Sequence, residues 1–110
     1  MGDAVFTLMV RTWLLLEGTS TARRLHDRSV EFVSAKAQAA AAEAVLPRLT
    51  EVENAIYKRG RNTHLNSVPK GSTHEEYHAA TGIEALFGYL YLVGEIDRLN
   101  ELFDVALTSS

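Results

Sequence analysis

Cysteine is absent from the 110 residues, which excludes a disulfide scaffold and any cysteine-ligated zinc or iron–sulfur centre. A chain without thiols is compatible with a reducing compartment. The N-terminus has no basic segment leading an apolar one, so it does not read as a secretory signal. Long apolar runs are missing too: the longest, ALFGYLYLVG, is too short to cross a bilayer. No segment alternates apolar and polar residues as a strand does, and no internal repeat or linker is visible. Excess positive charge is lacking overall, with a formal net charge of −3, and the hydrophobic fraction of 46% is ordinary for a globular chain. These absences leave one all-α domain over residues 1–110.

One further absence is local. No acid occurs between Asn54 and His74, whereas Lys58, Arg59, Arg61 and Lys70 all fall there. Residues 1–74 carry ten basic and seven acidic side chains, and residues 75–110 carry one basic and seven acidic. Such asymmetry suits an anionic partner on one face. The alternative is a solvated loop with a few cations.

What is present is helical. Residues 4–16 are apolar on nearly every face, interrupted by Thr7, Arg11 and Thr12. A helix of that kind is buried on more than one side, by a core and by a subunit interface. Gly18 can end it, and a shorter helix follows through ARRLHDRS. Ser34 is placed to cap an alanine-rich helix that Pro47 stops or kinks. Thr50 with Glu53, and Thr73 with Glu76, have capping-box spacing. The first box opens a helix ending near Gly60, and the second opens a long helix over residues 74–93. Gly82 and Gly88 lie inside the long helix, where each costs about 1 kcal/mol relative to alanine, so a close backbone approach is expected. Ile96, Leu99, Phe103 and Ala106 give a last helix one apolar stripe. The segment RNTHLNSVPKGS is the one long loop, and its basic character makes it a candidate functional loop.

Two carboxylates stand alone in apolar surroundings. Asp3 precedes the first apolar run, and Glu84 lies between Ile83 and Ala85 in the long helix. A buried charge is costly unless something answers it. Facing one another, the two acids need a cation between them. Mg²⁺ fits, because it prefers oxygen ligands, keeps several waters and often takes only one or two carboxylates. The alternative is plainer: Asp3 complements a helix dipole and Glu84 is a boundary residue.

GDAV followed by an apolar helix, with IEALFGYLYL far downstream, resembles the two signature segments of the ribonuclease III catalytic domain. VSAKAQA, KRGRN, VPK and TGIEALFGYLYLVGE resemble, in order and spacing, the short Mini form that lacks a double-stranded RNA-binding domain. The resemblance covers almost the whole chain. It implies an all-α, homodimeric, Mg²⁺-dependent endoribonuclease that hydrolyses double-stranded RNA and is associated with maturation of large-subunit ribosomal RNA. Asp3 and Glu84 fall on the family's two essential carboxylate positions. Thr81 stands where the larger enzymes carry another acid, as is usual in the Mini form. Family members have a helix leading into GDAV, so the chain is expected to be truncated at its N-terminus. The expected compartment is the bacterial cytoplasm, with the plastid stroma as the alternative.

Double-stranded RNA is read mainly through shape, phosphates and 2′-hydroxyls. Arg59, Arg61 and Lys70 are the first candidates to hold it, and Asn62 and His64 can add hydrogen bonds. Lys36, in SAKAQ, forms a second tier with Arg23 and Arg24. Phe6, Met9 and Trp13 are candidate contacts across the dimer. Two readings compete with a nuclease. One is a helical RNA-binding or scaffold dimer without catalysis. The other is a zinc peptidase, because His74-Glu75-x-x-His78 matches a zinc-protease motif literally; against it stand the missing strand and the motif's place in a first helical turn.

Overall fold

The computed structural model describes the backbone of residues 2–18, 21–63 and 73–108, and side chains there from Val5 onward. Among the described residues six α-helices form: α1 (Gly2–Leu16), α2 (Ala22–Val33), α3 (Ala35–Val45), α4 (Glu51–Arg61), α5 (His74–Leu92) and α6 (Ile96–Thr108). No strand occurs among the described residues. Helix α5 is the hub, packed against α1, α3, α4 and α6. Its Ile83, Leu86 and Phe87 are fully buried, each worth about 1.5–3 kcal/mol relative to exposure.

The caps form where the spacing predicts them. Ser34 accepts the Ala37 N–H at 3.2 Å and starts α3. Pro47 falls in a single 3₁₀ turn, Leu46–Arg48, that ends α3 rather than kinking it. Both capping boxes close: Thr50 with Glu53, and Thr73 with Glu76. Gly18 leaves α1 with φ +100, the left-handed region open to glycine.

Helix α1 divides its apolar surface. Val5, Phe6, Val10 and Leu14 enter the core, while Leu8, Leu15 and Leu16 are 63%, 57% and 83% exposed. In α6, Leu99, Phe103 and Ala106 are buried as expected, but Ile96 is not: it is 45% exposed. Ile96 is the first residue of its helix, beyond the reach of the core stripe.

Gly82 meets the predicted close approach. A Cβ there would lie 2.7 Å from the Tyr57 ring and 2.9 Å from the Tyr57 carbonyl oxygen. Gly88 is buried. Glu53 has a role beyond its cap. Arg98 of α6 donates to both its carboxylate oxygens at 2.8 Å, and to the Arg48 carbonyl at 2.7 Å. Arg98 also pairs with Glu101. This network ties α4 to α6.

Candidate metal and RNA site

Glu84 projects from the middle of α5 at a half-buried position, beside the fully buried Ile83 and one turn before Phe87. Position 3 lies in the first turn of α1, and the Asp3 side chain lies outside the described residues. The two helices are fixed by the Phe6 and Phe87 rings, whose centroids are 5.4 Å apart. One turn further along each helix, Met9 and Tyr91 line a common cleft. Positions 3 and 84 stand one turn before Phe6 and Phe87, each on its own helix.

The basic end of α4 supplies the second part. Arg59 is exposed in the last turn and Arg61 half-exposed beside it. Arg61 lies 5.9 Å from the centroid of the Tyr57 ring, within cation–π range. Its Nε donates to the Asn62 side-chain oxygen at 3.2 Å. Arg61, Asn62, Glu75 and His78 line a cleft of about 350 Å³ between the end of α4 and the start of α5. Tyr57, Glu75 and His78 were not among the predicted RNA contacts. Tyr57 could have been found from its spacing of four residues before Arg61, which puts both on one helix face. Burial pushes the Tyr57 phenol up from its ordinary range, as expected for an enclosed hydroxyl.

Lys36 is exposed in the first turn of α3, and Arg23 and Arg24 are exposed in the first turn of α2. His64 and Lys70 lie outside the described residues. Phe6 requires a correction as a candidate intersubunit contact. Its ring is 4% exposed and packs on Phe87 and Phe103, so the protomer's own core already encloses it. Trp13 is half-buried, with its ring edge against Phe32 at 5.2 Å, and Met9 is half-buried. The outward apolar side chains of α1 are Leu8, Leu15 and Leu16, which all-round apolarity alone could not single out.

The ribonuclease III domain model matches residues 1–95. The chain belongs to the ribonuclease III domain family and is an endoribonuclease acting on RNA. Within that family it is similar to the Mini-ribonuclease 3 proteins. The protein of that name from Thermoanaerobacter sp. is 41% identical over 107 residues, covering 97% of this chain and 75% of the relative. The one from Symbiobacterium thermophilum is 42% identical over 106 residues, covering 96% and 82%. A solved crystal structure of a Fusobacterium nucleatum protein superposes with a TM-score of 0.87 at 26% identity, covering 97% of this chain and 85% of that one.

Proposed function

We propose that the chain hydrolyses phosphodiester bonds in double-stranded RNA with Mg²⁺ bound by Asp3 and Glu84, and that its substrate is a precursor of large-subunit ribosomal RNA. One observation carries the reading. Phe6 and Phe87, each one turn after an acid of the pair on its own helix, pack ring against ring, which supports a shared site for positions 3 and 84.

The donor chemistry fits the ion. Glu84 is a half-buried carboxylate on an otherwise apolar stretch of α5. Carboxylate oxygens at a partly dry position suit a small, hard dication that retains its own waters. When bound, Mg²⁺ would supply a water of lowered pKa and stabilise charge on the leaving oxygen. The protein's residues do the rest. Glu84 would hold the ion from α5, the helix packed against α1, α3, α4 and α6. Arg61, braced on Tyr57, and Arg59 hold phosphates along the duplex, and Asn62 offers hydrogen bonds from the α4 C-cap. Lys36, His64 and Lys70 extend that grip.

We also propose a homodimer, working in the bacterial cytoplasm. Two copies present two sites, and their twofold axis matches the pseudo-dyad of a duplex. The supporting observation is an outward, mainly apolar surface that Thr12, Asn100 and Asp104 interrupt. Leu8 with Met9, Tyr91 and Ile96 lines one cleft, and Leu8 with Met9, Trp13 and Leu16 lines the next. No helix among the described residues is long and apolar enough to cross a membrane.

The deciding experiment compares the parent with Glu84→Gln on a long generic RNA duplex, with Mg²⁺ and with EDTA. Cleavage that needs metal and vanishes in Glu84→Gln, while helix content and melting temperature hold, supports the assignment. Undiminished cutting by the variant overturns it. Duplex binding by the parent without cutting would favour the non-catalytic dimer.

A further inference from the structure

The nuclease reading gives no chemical role to the His74-Glu75-x-x-His78 segment, although Glu75 and His78 line the α4–α5 cleft. His74 and His78 are four residues apart on α5 and share one face. Their rings lie near-parallel, at 27°, with centroids 6.4 Å apart. His74 is exposed. The His78 Nδ1 is enclosed and has no hydrogen-bond partner among the described residues. His78 also lines the cleft, with Glu75.

We propose that His74 and His78 bind a borderline transition-metal dication of the Zn²⁺ class, at a site distinct from the magnesium carboxylates. Imidazole is a preferred ligand for Zn²⁺, Ni²⁺ and Cu²⁺ and a poor one for Mg²⁺. Two histidines at this spacing chelate without moving backbone, because the helix already holds both rings on one side. Among the described residues no three ligating side chains converge. The pair therefore supplies two of the ion's ligands.

The surroundings set the balance. Glu75 is exposed beside the pair and lines the same cleft, adding negative charge. Glu76 is held by its bond from the Thr73 N–H at 3.0 Å. Arg61 faces the cleft from α4 and opposes a cation. Glu84 is six residues further along α5, about 9 Å in helical rise, and on another face. A zinc ion here would stand among the Arg61 and Asn62 side chains assigned above to RNA. Zinc binding itself does not depend on that assignment.

Equilibrium dialysis of the whole chain against ZnCl₂ in excess MgCl₂ tests the site. One zinc per chain is expected for the parent and equally for Glu84→Gln. His74→Ala removes an exposed ring, so the fold is undisturbed. It should weaken zinc by at least the roughly 10–100-fold that loss of an outer-shell partner costs. His78→Gln should act likewise. The proposal is overturned if the parent takes up no zinc or if His74→Ala binds as the parent does. Loss of zinc in Glu84→Gln also overturns it, by assigning the ion to the carboxylates. The cleavage assay is separate, so failure of either reading leaves the other standing.

Discussion

Gly60 and Gly82 bring two helices to backbone contact. A Cβ on Gly60 would lie 3.0 Å from the Gly82 Cα, 2.9 Å from the Thr81 carbonyl oxygen and 2.6 Å from the Ala85 Cβ. Neither glycine has a left-handed φ. Both are required by distance rather than by conformation. The crossing joins the basic end of α4 to the helix that carries Glu84.

Alanine at position 82 must therefore push α4 away. The new methyl would meet the Tyr57 ring at 2.7 Å and the Tyr57 carbonyl at 2.9 Å, and the carbonyl cannot rotate aside. Overpacking of this kind costs about 1–3 kcal/mol against the roughly 1 kcal/mol that alanine gains in helix propensity, a net loss of up to about 2 kcal/mol. Gly82→Ala should lower stability to urea. The check is a urea titration beside Gly94→Ala, where a Cβ meets nothing within 4 Å and only the φ of +79 is strained.

Glu53 and Arg98 predict an acid-sensitive fold. Arg98 hydrogen bonding holds the Glu53 carboxyl below its ordinary value of 4.5, against the opposing effect of burial, and the Thr50 backbone bond adds to it. A carboxyl depressed in the folded state stabilises fully well above pH 4.5, and that contribution is lost as pH falls through the lowered value. Melting temperature should fall below that pH more steeply in the parent than in Glu53→Gln. Near neutral pH, Arg98→Met leaves an enclosed carboxylate without its cation. The Arg98 side chain is 24% exposed, so the loss should be somewhat less than the roughly 3–5 kcal/mol of a fully buried pair. Parallel slopes for parent and Glu53→Gln below pH 4.5 would remove the pair from the account.

Much of this architecture was legible in the chain because local signals and burial agreed. Ser34, Thr50 and Thr73 cap where their spacing puts them, and Leu99, Phe103 and Ala106 turn inward on schedule. The Glu53–Arg98 tie was not legible, because it joins residues 45 positions apart and the capping box already accounted for Glu53. Which half of α1 faces outward was hidden for another reason. Val10 and Leu8 are both strongly apolar, and only packing decides that one is fully buried and the other 63% exposed. Glu84 was legible as an acid out of place, whereas the Arg61–Tyr57 brace needed the fold to give it meaning.

Arg61 should act through phosphate rather than base. Its guanidinium sits at the mouth of the α4–α5 cleft, over Tyr57. Arg61→Ala should weaken duplex binding across unrelated sequences and reduce the slope of log affinity against log salt by about 1. Filter binding across a salt series, with Glu84→Gln as a non-cutting background, reads both. An unchanged slope would place Arg61 off the RNA.

Leu8 and Phe6 sit two residues apart on α1 and should answer mutation in opposite ways. Phe6 is enclosed by Phe87 and Phe103, so Phe6→Ala opens a cavity in the protomer and should cost about 3–5 kcal/mol of stability. Leu8 is 63% exposed and lines both clefts of the outward apolar surface. Leu8→Asp should leave the protomer folded, because nothing inside it loses packing. It should abolish pairing, because a charge at the centre of an apolar seam has no partner to answer it. Sedimentation velocity separates the outcomes: a dimeric parent, a folded monomer for Leu8→Asp and a destabilised chain for Phe6→Ala. A Leu8→Asp variant that stays dimeric would move the seam off this face of α1.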